Sequence, residues 1–190
     1  MKRSLGAKRL VYPLPVMMVG SYGEDGRPDV CNVGWGCISV SEPPCVQIAL
    51  RPIRQTLANI RHTGAFTVGI PSACHEVQAD YFGCVSAKQE PDKIGKAGMH
   101  AVPSEHVNAP VIEEFKLTLE CKVVCMHEYG SHVQITGEIV NVLADEDVVG
   151  EDGVVDIEKL DPIVVDPSAD TYHRIGERIG KIFHDGLALK

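Results

Sequence analysis

Two long alternating stretches late in the chain constrain its fold more than any other feature. In FKLTLECKVVC (115–125), Phe115, Leu117, Leu119, Cys121, Val123 and Cys125 alternate with Lys116, Thr118, Glu120 and Lys122. Period two is the signature of a half-buried strand. After the turn HEYGS comes HVQITGEIVNVLAD (132–145), with Val133, Ile135 and Ile139 on one face and His132, Gln134, Thr136 and Glu138 on the other. Two long neighbouring strands with one apolar face predict an antiparallel sheet or a closed barrel. Val140 and Val142 make the end of the second strand apolar on both faces, which suits coverage by a partner chain or, in a monomer, by the C-terminal TYHRIGERIGKIF segment itself.

The rest of the chain supplies more strands and two or three short helices. PVMMVGSYGEDGRPDVCNVGW reads as a hairpin around Asp25-Gly26, a strong turn dipeptide. CVQIAL (45–50) and AFTVGIP (65–71) read as buried strands. TLANIRHTG predicts a helix over 56–62, with Thr56 as its N-cap and Gly64 where it stops. A second helix is predicted over 75–82. Residues 145–161 read as an acidic loop with a short element, and TYHRIGERIGKIF (171–183) as a closing helix weakened by Gly176 and Gly180. With no repeat and no clear linker, the 190 residues are expected to form one domain.

Composition excludes some functions. A net charge of −8 argues against nucleic acid or anionic membranes as partners. No apolar run reaches the roughly 18 residues of a membrane span. The basic, then apolar start is broken by Pro13 and Pro15 and lacks a small-residue cleavage site, so it does not read as a signal peptide. Seven scattered cysteines without a CxxC read as free thiols in a reducing cytoplasm. Cys121 and Cys125 are expected on the inward face of their strand, as core residues rather than metal ligands.

Against this acidic background one window stands out. From Pro43 to His75 there is no aspartate or glutamate, while Arg51, Arg54 and Arg61 lie within it. The window includes the start of the Thr56 helix, and a helix N-terminus attracts anions. Arg54 adds a guanidinium fork and Thr56 a hydroxyl donor, so RPIRQTLAN reads as a phosphate cradle or as a solvated arginine face. A few residues earlier stands the only tryptophan, Trp35, between Gly34 and Gly36. A distant part of the protein or a flat ligand must cover its ring. A core tryptophan in a barrel is the plain alternative.

The stretch from PVMMVG to FTVGIP resembles the first half of the flavin reductase-like proteins with an FMN-binding split barrel, and most of all the flavoredoxin group. DKIGKAG (92–98), APVIEE (109–114), LEC (119–121) and GSHVQITGEIV (130–140) continue the resemblance in order. The resemblance implies a mainly β fold with a few helices, a six-stranded antiparallel split barrel. It implies a homodimer holding FMN non-covalently. By position, Trp35 lies near the flavin ring, Arg54 and Thr56 hold the phosphate, and Asn59 supports that loop. Lys93 and His132 approach the polar edge of the flavin. Asp29 stands where the family usually has asparagine, and Asn32 is placed to take over its hydrogen bond. Near Val165 the family often carries an aromatic residue.

No Ser/His/Asp set, HExxH or GxGxxG occurs, which fits chemistry carried by a cofactor. The expected function is a flavin reductase or a flavoredoxin-like electron carrier. A reductase would take NAD(P)H transiently on an exposed flavin face, since no nicotinamide fingerprint is present. Its redox partner would be a small molecule or a protein. Two other readings remain open: an enzyme like pyridoxamine-phosphate oxidase, and a barrel that binds a ligand or protein without redox chemistry.

Overall fold

The structure is a computed structural model describing all 190 residues. In chain order the strands are β1 (Leu14–Pro15), β2 (Met17–Tyr22), β3 (Pro28–Val33), β4 (Gly36–Ser41), β5 (Pro44–Leu50) and β6 (Ala65–Ile70). They continue with β7 (Ala101–Pro103), β8 (Pro110–Ile112), β9 (Leu117–Tyr129), β10 (His132–Ala144), β11 (Ile163–Asp166) and β12 (Thr171–Arg174). The helices are α1 (Gln55–Thr63), α2 (Glu76–Cys84), α3 (Lys93–Lys96) and α4 (Ile157–Leu160). The fold is therefore mainly β, as expected.

The main sheet is antiparallel and open, in the order β3-β2-β6-β9-β10-β5-β4. It has seven strands where six were expected, because the stretch after Trp35 adds the edge strand β4. A three-stranded sheet β1-β11-β12 and the pair β7-β8 lie outside it. The main sheet curls around a core that includes Val19, Val33, Ile48, Phe66, Val68, Cys121 and Ile135. Leu57 and Ile60 of α1 enter the same core, so the helix plugs one end of the half-closed barrel. A second core lies on the outer face of β2 and β3, where Met18 and Val30 meet Phe82 of α2, Ile94 of α3 and Ile163 of β11. Both faces of β2 are buried, which explains why MMVGS is apolar or small throughout rather than alternating.

The β9–β10 pair departs from strict alternation at two bulges. Thr136 pairs with Cys125 but Gly137 with Val123, leaving Val124 as an extra residue. Ile139 pairs with Cys121 but Asn141 with Glu120, leaving Val140 extra. Each extra residue inverts the inward parity of its strand. Cys121 is buried, but beyond the first bulge Cys125 is exposed and Met126 turns inward. The expected inward position of Cys125 is corrected for that reason. Gly137 sits where the Phe66 ring crosses β10, and a Cβ there would stand 2.5 Å from Phe66 Cζ.

Other expectations change locally. The N-cap of α1 is Arg54 rather than Thr56, and it makes no side-chain capping bond. The stop at Gly64 holds, with φ at 68° and its N–H bonded to Ile60 O. The predicted helix over 171–183 is instead the short strand β12 followed by an extended, exposed arm. Gly176 and Gly180 lower helix propensity there. More decisively, Tyr172 and His173 find ladder partners on β11.

The nominally polar face of β9 is also covered. Glu120 is fully buried, accepting hydrogen bonds from Ser104 Oγ and from Asn141 Nδ2 (2.6 Å), with His106 Nδ1 at 2.9 Å. The loop 104–109 closes over it. Burial pushes the Glu120 carboxyl up, but its hydrogen bonds and the nearby His106 outweigh that and hold it below its usual value. A depressed carboxylate contributes stability above its unfolded-state value and loses it as pH falls through the folded one. Glu120→Gln should therefore cost about 1–3 kcal/mol at pH 7. In urea denaturation from pH 6 to 3, the variant should lose less stability than the parent; parallel losses would show that Glu120 is not a driver of acid sensitivity.

Candidate functional site

The chain's local positive patch lies where β3 and β5 end and β10 begins. Val133 pairs with Leu50, so His132 stands beside the exit of β5 and the following Arg51. Trp35 is tied to the same place by its carbonyl, which accepts from Ala49 N at 2.8 Å. These segments enclose a cleft of about 120 Å³ that brings together Cys31, Asn32, Trp35, Arg51, Arg54 and His132.

The groups in this cleft are held in place. Arg54 donates from Nη1 to Gly83 O at 3.1 Å, which spans from the start of α1 to the end of α2. His132 Nδ1 lies 2.9 Å from Ser131 Oγ. Asn32 faces α2, where its Nδ2 donates to Ala79 O at 2.9 Å and to Tyr172 Oη at 3.2 Å. Trp35 is 36% exposed, and the Arg9 guanidinium lies 5.6 Å from its ring centroid. One part of the indole is thus covered by the N-terminal segment through a cation–π contact, and the rest is open. Burial pushes the Cys31 thiol up, despite the opposing pull of Arg54 and Lys93.

The other expected residues lie elsewhere. Asp29 and Asn59 line a second, polar cleft of about 280 Å³ with Asp25, Arg27 and Lys88. Between the two clefts is a buried polar layer of Ser21, Asp29, Thr56 and Asn59, none more than 3% exposed. The Thr56 hydroxyl donates to Asp29 Oδ2 at 2.9 Å, so it turns into the protein rather than outward at the helix start. Asn59 donates to Ser21 Oγ and accepts from Gln55, the first residue of α1. Lys93 is buried on α3, with Nζ 2.7 Å from Asp29 Oδ1 and a hydrogen bond to Val85 O. That contact is an ion pair without an aligned hydrogen bond, since Asp29 Oδ1 has no partner of good geometry.

The arrangement suits a flat ring joined to a phosphate. α1 begins without a side-chain cap and without an acid in its first turn. Its free N–H groups, with Arg51 and Arg54 beside them, form an anion site. The open part of the indole offers a surface to a ring. FMN fits these donors through the backbone of α1 and the guanidinium groups, rather than through the Thr56 hydroxyl. The cleft's volume of 120 Å³ is below the roughly 300 Å³ at which ligand pockets begin.

Three contributors were not singled out from sequence. Arg51 lay in the positive window but carried no separate signal, and Cys31 is a core-like cysteine. Tyr172 was hidden in a segment read as helix. It stands opposite Val165 in the β11–β12 ladder and bonds Asn32 and Asp80. An aromatic ring therefore occurs next to Val165 in space, though not in sequence. Burial and donation to Asp80 push its hydroxyl up to about 12.

Residues 8–163 match the model of a family described as "Flavin reductase like domain". The structure is similar to flavoredoxin of Desulfovibrio vulgaris (Miyazaki F), with a TM-score of 0.94 and 40% identity, covering 98% of this chain and 100% of that one. It is also similar to flavoredoxin from Methanosarcina acetivorans, with a TM-score of 0.92 and 27% identity, covering 100% of both. An uncharacterised protein of Aeropyrum pernix is 28% identical over 158 residues, which span 83% of this chain but 59% of that protein.

The Asp29–Lys93 pair gives the site a measurable signature. Removing one member of a buried pair leaves an uncompensated charge and costs about 3–5 kcal/mol. Lys93→Met should destabilise by about that much in urea denaturation. Asp29→Asn in the Lys93→Met background should restore most of it. Additive losses in the double variant would show that the two groups are not coupled.

Proposed function

We propose that this chain, which belongs to the flavin reductase-like domain family, binds FMN non-covalently and works as a redox protein, either a flavin reductase or a flavoredoxin-like electron carrier. The observation that carries the reading is the meeting of an open indole, two guanidinium groups and an uncapped helix start in one cleft. The likeness to two flavoredoxins over essentially the whole chain supports the same reading.

Bound FMN would supply the hydride or electron transfer. The protein's part is to hold and bias it. Arg54, already fixed by Gly83 O, loses little freedom when it meets a phosphate. Arg51 and the first N–H groups of α1 complete that anchor, and Asn59 secures it from beneath by binding Gln55. Trp35 meets the ring, and His132 approaches its polar edge from the start of β10. Asn32 acts through the backbone it fixes, because its amide is committed to Ala79 and Tyr172. Lys93 brings a charge that Asp29 balances. A nicotinamide donor, in the reductase reading, docks transiently on the open ring.

The active unit in this reading is a homodimer, because the cleft of one chain is too small to enclose a flavin. No helix is long and apolar enough to cross a membrane. Seven scattered cysteines without a CxxC fit a reducing cytoplasm as the setting in this reading.

Titration with FMN tests the reading directly, since quenching of Trp35 reports a ring beside the only indole. A protein that stays colourless and keeps its Trp35 emission after incubation with FMN would reject it. Arg54→Ala should weaken FMN roughly 10- to 100-fold, the equivalent of one charge-assisted hydrogen bond. Riboflavin, which lacks the phosphate, should lose almost nothing. Equal losses for both ligands would remove Arg54 from the phosphate site.

A further inference from the structure

The chain leaves its fold at Arg174, the last residue of β12, and continues for sixteen residues without touching a core. This arm is not polar. Ile179 is 98% exposed, Phe183 96%, Leu189 93% and Ile182 83%, with Ile175 and Leu187 about half exposed. Single exposed apolar residues are ordinary, but six in one short segment call for a cover.

The arm is nonetheless shaped. Asp185 Oδ2 accepts from Lys181 N at 2.7 Å, Asp185 N donates to Lys181 O, and a 3₁₀ turn runs over Asp185–Leu189. Phe183 sits at φ 57°. A bulky side chain in the left-handed region persists only where its surroundings hold it there. The two hydrogen bonds between Lys181 and Asp185 hold the Phe183 backbone, while its ring has no cover in its own chain.

We propose that the arm, residues 175–189, docks on a second copy of this chain, so that the dimer is built by reciprocal exchange of C-terminal arms. The inference deepens the homodimer reading and rests on it, but not on the identity of the cofactor. The receiving surface is the far end of β10. Pairing with β5 stops at Glu138, while β10 continues to Ala144 along β9. Residues 139–144 thus keep one edge without a strand partner, and Val142 and Leu143 on this stretch are exposed. An unpaired apolar edge is a site for an extended segment.

Charge permits this pairing. Within the arm Arg178 and Lys181 offset Glu177 and Asp185, so it is formally neutral in a chain whose net charge is −8, and Arg174 before it is already paired with Asp161. Directly after the β10 edge come Asp145, Glu146, Asp147, Glu151 and Asp152. A neutral apolar arm can therefore lie on this edge without the repulsion that an acidic segment would meet there. The area is also sufficient. Six side chains at roughly 100 Å² each, on two arms, remove about 1,200 Å² from water before the surfaces they cover are counted. A standard stable interface buries about 1,600 Å² in total.

The test combines hydrogen exchange with sedimentation on the full chain, across concentrations that span the monomer–dimer equilibrium. Amides of 175–189 should be slowed at least 10-fold in the dimer and lose that protection on dilution. Ile179→Asp with Phe183→Asp, and separately Val142→Asp, should each raise the dimer dissociation constant at least 10-fold with little change in the monomer's urea midpoint. Rapid arm exchange in a sample that sediments as a dimer would overturn arm docking and leave the dimer standing. Arm protection that does not depend on concentration would mean the arm folds onto its own chain. A monomer at every concentration would overturn both readings.

Discussion

The bulged ladder between β9 and β10 governs the rest of the molecule. Two antiparallel strands of 13 residues each would, if regular, form an evenly twisted ribbon with one wet and one dry face. The extra residues at Val124 and Val140 bend the ribbon and strengthen its twist. One hairpin can then line the barrel core with Cys121, Val133 and Ile135 while turning Glu120 and Val140 toward the loop that closes over them. The same bending brings His132, at the start of β10, beside the end of β5, where the cleft opens.

The plug at the barrel end is the second constraint, and it is partly polar. Leu57 and Ile60 enter the apolar core, but Thr56 and Asn59 on the same helix face Ser21 and Asp29. A polar layer at this depth is stable only when each group is satisfied. Asp29 receives the Thr56 hydroxyl, and its charge is matched by Lys93 from α3. Three elements far apart in sequence are locked together at one carboxylate. The N-terminus of α1 is fixed by that lock while its outward N–H groups remain free.

What could be read from sequence followed the range of the interactions. Strands with clear periodicity or firm turn signals, such as 45–50, 65–70 and the hairpin at Asp25-Gly26, form as expected. The inversion at Cys125 was not legible, because a bulge depends on what the neighbouring strand packs against. The segment 171–183 carried a plausible helical pattern but had a strand partner in β11, and tertiary pairing prevailed over propensity. In the cleft, Arg54 and Trp35 converge, as the positive window and the lone tryptophan suggested, and His132 joins them, which only the family resemblance implied. The direction of the Thr56 hydroxyl depended on Asp29 being buried beside it, and no local pattern reveals that. Tyr172 escaped notice because its proximity to Asn32 spans 140 positions.

The electrostatics of the cleft follow from the same buried pair. A chain with a net charge of −8 repels anions at long range. Beyond about 8–10 Å in physiological salt that field is screened, and nearby charges decide what binds. Within that radius Lys93 is balanced by Asp29, which leaves Arg51 and Arg54 in the cleft wall beside the start of α1 and Arg9 over the Trp35 ring. Two of these charges therefore stand at the helix start, where a phosphate would sit in the proposed reading. Were Asp29 an asparagine, Lys93 would carry an unbalanced charge behind the cleft wall, and the positive field would spread toward the ring. In the proposed FMN reading, the carboxylate at position 29 would hold back the Lys93 charge and leave the anchoring of a phosphate to Arg51 and Arg54.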